Sequence, residues 1–394
     1  MGKDEDINKI YGRIIDTFMR HEDNITKTIY PNEESLHGEL TPTLLRGYGG
    51  PSSTLFKLIN QSKGKSLSFM VRHYSETPET YKGKVHPWEA TSMGYNFLHR
   101  AGVDNIPRVY MPNGSRILFM EWIEGKTLID DISGLSLEGQ VEALNRVLKP
   151  LAQFQYKATA QSASLDEEAS ERLFVGRKME EKAREYFSKI TGKPDKDALI
   201  AYRLIERAHE GFCVNHGDLG HTNVLIRTGG KVYFIDHELA KGDGYNDLGS
   251  LLAYLGMYID LHNHWVGLGE RFWKAKSRAK VEESGGEVKD TGAFVLTPEG
   301  KKEMMYKVYA SLFHKSFKIL AKNQKTKLYP QECEERLRKQ IQDVLSEWLI
   351  KGDDFGLGGD DRAAAGILFN TFKSPNLNSN YTGTVPRTLE TVCG

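Results

Sequence analysis

Residues 215–226 read NHGDLGHTNVLI, and after a short turn residues 231–252 read KVYFIDHELAKGDGYNDLGSLL. Asp218 lies five positions before Asn223, which opens an apolar run, and Asp236 closes the next one thirteen positions later. NVLI and KVYFID flank Thr228, Gly229 and Gly230, a turn sequence between β-type runs, so they predict a small hairpin. Its mouth would gather three oxygen-bearing side chains. Mg2+ favours oxygen ligands and usually takes one or two protein groups plus substrate phosphates, a task that suits Asn223 and Asp236. Asp218 would then orient a substrate hydroxyl and accept its proton, because phosphoryl transfer asks the protein mainly for positioning and charge neutralisation. The order Asp, four residues, Asn, then Asp matches the catalytic and metal loops of protein kinases.

Working outward, the upstream chain reads as a small sheet. Ile7, Ile10, Tyr11, Ile14, Ile15 and Phe18 recur at helical spacing, predicting an amphipathic helix over residues 4–20. TPTLLRGYG, STLFKLIN and SLSFMVRHY then read as three strands, joined by GGPSS and QSKGK. HPWEATSMGYNFLHRAG has helical periodicity, with Gly102 where the helix could stop. RVYMP and SRILFMEWI flank Asn113-Gly114, a dipeptide suited to the positive φ angles of a tight hairpin turn. Beyond Gly125 the pattern turns helical, with Val141, Leu144, Val147, Leu148, Leu151 and Phe154 on one face and further helices expected over 245–262, 302–323 and 331–350. Residues 276–295 and the last forty or so, rich in Gly, Asn, Ser and Thr, read as loop or loosely attached tail.

Bulk properties exclude several function classes. Lys+Arg and Asp+Glu both total 53 in 394 residues, so the one-sided basic surface of a nucleic-acid binder is not expected. Cys213, Cys333 and Cys393 are far apart and show no metal-ligand spacing, which argues against a disulfide framework or structural zinc and for a cytoplasmic protein. No signal peptide or membrane span is expected from the charged N-terminus or from any later run.

HGDLGHTNVLI followed by YFIDHELAKGDGYNDLGSLL resembles the aminoglycoside phosphotransferase and choline kinase family, whose signature is HGD, four residues, N, then ID-x-E, then GDP-x-x-DL. Asp243-Gly244 stands where that family often has Asp-Pro, and His216 replaces the arginine context of ordinary protein kinases. Only nine residues separate Asp236 from Asn246, too few for a long activation segment.

The resemblance implies an α+β, two-lobed protein-kinase-like fold: a small antiparallel-sheet lobe over residues 1–124, a larger helical lobe over 125–352, and a tail over 353–394. It extends from about residue 41 to about residue 262. GYGGPSSTLFKL resembles the family's glycine-containing loop, so Gly49, Gly50, Ser52 and Ser53 would approach nucleotide phosphates with their backbone. Arg72 occupies the strand position of the phosphate-pairing basic residue, where lysine is familiar. Glu89 would pair with Arg72, and the backbone at Glu121 and Ile123 would meet an adenine edge.

Of the remaining polar residues, His216 would hydrogen-bond backbone near the loop and Asp247 would cap or brace it. Glu238 is either a further ligand for metal or substrate or the neighbour of one. His221 reads as a loop residue, and Trp265 and Phe272 as core. The expected activity is ATP- and Mg2+-dependent phosphorylation of a small-molecule hydroxyl. The alternatives are an atypical protein kinase and a catalytically silent nucleotide-binding module. Neither the acceptor nor the oligomeric state follows from the sequence.

Overall fold

The computed structural model describes residues 7–45, 53–74, 86–174, 204–206, 211–285 and 294–373. Helix α1 (Ile7–Ile29) buries Ile10, Ile14, Phe18, Ile25 and Ile29. It runs well past the expected end at residue 20, because Ile25 and Ile29 continue the buried stripe through the otherwise polar segment HEDNITKT.

That stripe lies on a five-stranded antiparallel sheet made of β1 (Glu39–Leu44), β2 (Ser53–Ser62), β3 (Lys65–Tyr74), β4 (Val109–Tyr110) and β5 (Ile117–Glu121). The strand order is β1-β2-β3-β5-β4. Phe56, Leu58, Phe69, Val71, Ile117 and Phe119 meet α1. Successive strand side chains alternate between faces, so Met70, Arg72 and Tyr74 point to the opposite side. Helix α2 (Pro87–Arg100) covers that side, where Tyr95 and Leu98 join Leu118 and Met120 in the main core. Both tight hairpins use positive φ as their sequences require: Lys63 and Gly64 between β2 and β3, and Gly114 between β4 and β5.

The second lobe is helical. Its described helices are α3 (Leu128–Ile132), α4 (Leu137–Ser162), α5 (Glu167–Leu173), α6 (Asn246–Leu255), α7 (Trp265–Glu283), α8 (Pro298–Thr326), α9 (Gln331–Ile350) and α10 (Gly359–Lys373). Among them lie β6 (Gly125–Thr127), β8 (Val224–Arg227) and β9 (Val232–Phe234) in one small sheet, and β7 (Cys213–Asn215) paired with β10 (Ala240–Gly242). The protein therefore has the expected α+β organisation, an antiparallel sheet followed by a helical region, with Trp265 and Phe272 in its core.

Two segments read as loop are helical. Residues 276–283 complete α7, because their charges face charges on α4: Lys149 pairs with Glu282 at 3.2 Å and Lys157 with Glu283 at 3.3 Å. Residues 359–373 form α10, held by Ala365, Leu368 and Phe372, the last against Phe317 at a ring separation of 5.8 Å. So few apolar anchors among Gly and Asp leave little periodic signal in the sequence.

The connection between lobes is tied from three directions. The Glu121 N–H donates to the Arg108 carbonyl at 2.8 Å, and the Trp122 N–H donates to the Tyr30 hydroxyl at 3.1 Å. Gly125 starts β6 so close to β8 that a Cβ would lie 2.3 Å from the Ile226 carbonyl oxygen.

Candidate active site

The site grows from the turn after β7. His216 is fully buried, and its backbone N–H donates to Asp247 Oδ2 at 2.8 Å. The Gly217 N–H reaches Asp247 Oδ1 at 3.1 Å, and Gln155 Nε2 donates to Oδ2 at 3.0 Å. Asp247 stands in the first turn of α6, where its buried carboxylate holds these backbone groups. His216 Nε2 lies 2.8 Å from the Ile235 carbonyl, and the His216 carbonyl accepts the Glu238 N–H at 2.8 Å. Burial pushes the imidazole pKa down, so the ring is neutral at pH 7 and its Nε2–H donates to Ile235.

Gly217 makes that closeness possible. Its φ is +85°, and a Cβ would fall 1.9 Å from the Glu238 carbonyl oxygen. Gly217→Ala is therefore expected to cost about 1–2 kcal/mol for the left-handed backbone and about 1–3 kcal/mol more for overpacking. Denaturant unfolding and turnover, measured together, should both fall; an alanine variant of unchanged stability would contradict the geometry.

Asp218 follows, half-buried, in the same turn. Asn223, in the short helical turn His221–Asn223, donates from Nδ2 to the Asp218 carbonyl at 2.8 Å, leaving Oδ1 as a hard oxygen for a cation. The Ile235 N–H donates to the Asn223 carbonyl at 3.0 Å, which sets Asp236 beside this pair. Asp236 has φ +56°, a conformation that costs a non-glycine residue energy and tends to persist at functional sites. Its Oδ1 lies 2.5 Å from Arg72 Nη2 across the cleft from β3.

A lysine completes the cluster. Lys315 of α8 places Nζ 2.7 Å from Asp218 Oδ1 and 4.9 Å from the centre of the Tyr254 ring. Burial alone would raise the Asp218 carboxyl, but the Lys315 ammonium, with Lys318 beyond it, holds it well below the usual carboxylate range. Nothing in the sequence around Lys315 marks it, since it sits in a helix with other lysines.

The structure thus gathers Asp218, Asn223, Asp236, Arg72, His216 and Asp247 at one place, and it corrects one partner. Glu89 does not pair with Arg72: it is exposed in the first turn of α2, where its Oε2 accepts the His86 N–H at 3.2 Å. Glu89 faces solvent and caps its own helix, and Asp236 is the partner of Arg72.

Glu238 is exposed beside the loop and contributes its backbone to it. At the hinge the Glu121 N–H is spent on Arg108, whereas the Ile123 peptide makes no hydrogen bond among the described residues. Ser53 opens β2 opposite Tyr74, while Gly49, Gly50 and Ser52 lie outside the described residues. His221 is buried against Tyr258, with ring centres 4.9 Å apart, and burial lowers its pKa to about 4.

The sequence profile described as the phosphotransferase enzyme family matches residues 61–280, from β2 through most of α7. The chain belongs to this family. The matched span includes Arg72, Asp218, Asn223 and Asp236.

Among solved structures, a Plasmodium vivax ethanolamine kinase matches at 13% identity and a TM-score of 0.54, covering 89% of this chain and 91% of its own. A choline kinase from Cryptosporidium parvum matches at 14% identity and a TM-score of 0.47, over 85% and 97% of the two chains. At such identities the likeness speaks to fold alone, and the first match is the one that bears on it. No curated protein matches the chain in sequence. No helix among the described residues is long and apolar enough to cross a membrane.

Proposed function

We propose that this phosphotransferase moves the γ-phosphoryl group of ATP to a hydroxyl of a small molecule, in the cleft between its lobes. The observation that supports this most is the tie of Asn223 to the Asp218 backbone, with Asp236 one strand away and facing Arg72. In this reading the sheet lobe holds the nucleotide, Arg72 takes its phosphates, and the hinge peptide at Ile123 meets the adenine. The helical lobe takes the acceptor.

Among the described residues no three His, Cys, Asp or Glu side chains form a ready metal cage. Asn223 and Asp236 flank the paired strands β8 and β9, and their amide oxygen and carboxylate would suit Mg2+ held jointly by protein, water and nucleotide phosphates. Bound there, the cation would neutralise charge building on the phosphates.

Asp218 orients the acceptor hydroxyl and receives its proton as the new oxygen–phosphorus bond forms and the bond to the β-phosphate oxygen breaks, its electron pair leaving with ADP. A carboxylate held so acidic is a weak base, so its larger contribution is orientation, as the loose transition state of phosphoryl transfer permits. Arg72 must leave Asp236 for the phosphates when nucleotide and cation arrive, exchanging one charge partner for another.

Thermal unfolding with ATP, with Mg2+ and with both tests the reading. Both together at about a hundred times the dissociation constant should add about 2.7 kcal/mol of stability. Either alone should add less. Equal stability in all conditions would remove the nucleotide from the proposal.

A further inference from the structure

Resting on that reading, we propose that Gln155 of α4 is a positioning residue for phosphoryl transfer, acting through Asp247 to fix the direction in which the catalytic turn presents Asp218. Gln155 is buried, and its amide nitrogen donates to two parts of one frame: Asn215 Oδ1 at 3.0 Å and Asp247 Oδ2 at 3.0 Å. Asn215 ends β7, the strand that leads directly into His216, Gly217 and Asp218. A single NH2 group thus touches both the strand entering the turn and the carboxylate that holds the turn's backbone.

The Asp247 carboxylate offers acceptor oxygens only, so it decides which end of the Gln155 amide faces it. Nε2 in that place then sets Asn215 with Oδ1 inward and with Nδ2 donating to the Cys213 carbonyl at 3.1 Å. Among the described residues, Asp247 receives three donors, of which the His216 and Gly217 N–H groups belong to the turn itself. Gln155 is the one that comes from outside it. Without that donor the carboxylate can rotate together with the two N–H groups, and Asp218, next along the chain, turns with them.

Helix α4 is suited to the task. One helical turn beyond Gln155, Thr159 Oγ1 accepts the Val214 N–H at 2.8 Å, so the same helix face fixes β7 as well as the turn that follows. Glutamine brings two hydrogens and the necessary reach without charge. Glutamate would bring the reach and no donor.

The test compares the parent with Gln155→Met, reading ADP release from Mg2+-ATP by the full chain with water as acceptor and with a panel of amino alcohols, polyols and hydroxy acids. Methionine keeps the length of the side chain. Because Gln155 Oε1 has no hydrogen-bond partner among the described residues, only the two donated bonds are lost. The kcat of the fastest reaction should fall about 10- to 100-fold, the size expected when a reacting group is displaced by about an ångström. KM for Mg2+-ATP should change little, since Arg72 and the hinge lie on other elements. Thermal unfolding checks that the variant is folded at the assay temperature; if it is not, Gln155→Asn, which keeps the amide but draws it back by one methylene, takes its place.

Asp247→Asn and the double variant separate positioning from packing. A residue acting through Asp247 adds little to the loss in kcat once Asp247 is changed, whereas independent effects multiply. Unchanged kcat in the Gln155 variant, a rise in KM with kcat kept, or losses that multiply would overturn the role of Gln155 and leave the phosphotransferase reading intact. Absence of any Mg2+-dependent ADP release by the parent overturns both.

Discussion

Asp218→Asn is expected to lower turnover by about 100- to 10,000-fold, the range for losing a positioned acid–base group. The asparagine keeps the shape of the side chain, and its carbonyl oxygen can still accept from Lys315 Nζ, which lies 2.7 Å from the carboxylate. The fold and the affinity for Mg2+-ATP should therefore survive, because neither Asn223 nor Asp236 depends on the Asp218 charge for its place. Single-turnover kinetics beside nucleotide titration separates the two effects. A variant that turns over like the parent would remove Asp218 from the chemistry.

The same carboxylate makes a statement about pH. Its folded pKa is depressed, so the stability it contributes is fully present above the ordinary carboxylate pKa, about 3.9. That contribution is lost as pH falls toward the folded value. Neutral His216 adds to that acid sensitivity, because burial disfavours its charged form in the folded protein and the unfolded chain takes up the proton more readily as pH falls. Acid unfolding should therefore begin earlier and less steeply in Asp218→Asn than in the parent.

Asp236→Ala should damage activity on the same scale. It removes a metal-type ligand and strips Arg72 of its partner at 2.5 Å, leaving a guanidinium with 11% side-chain exposure and no carboxylate beside it. Loss of several kcal/mol of charge stabilisation in the transition state corresponds to on the order of 1,000-fold in rate. Because Arg72 then has one competitor fewer for phosphate, affinity for metal-free ATP should rise while affinity for Mg2+-ATP falls. Calorimetry with and without Mg2+ would reveal that inversion, and parallel losses in both would argue that Asp236 only holds Arg72 in place.

Much of this architecture was legible in short stretches. The Asn113-Gly114 hairpin, the strands around it and the Asp218, Asn223 and Asp236 spacing each depend on residues within a turn or two of one another. Helix ends were harder. α1 runs on to Ile29 through polar residues, and α10 holds with few apolar anchors, so local periodicity understated both. Glu89 shows the limit within the site: family resemblance placed it by order along the chain, but its backbone starts a helix and its side chain caps it.

What the sequence determined alone was the chemistry available: which oxygens, in which order, on a strand–turn–strand frame whose local propensities agree. Tertiary structure alone decided which charges meet. Arg72 and Asp236 are 164 positions apart and Lys315 and Asp218 are 97 apart, and no local pattern encodes such pairings. Packing of α8 on α6 brings Lys315 to Asp218, and the fold brings Arg72 of β3 to Asp236 after β9; burial then makes each pair matter by removing the water that would screen it.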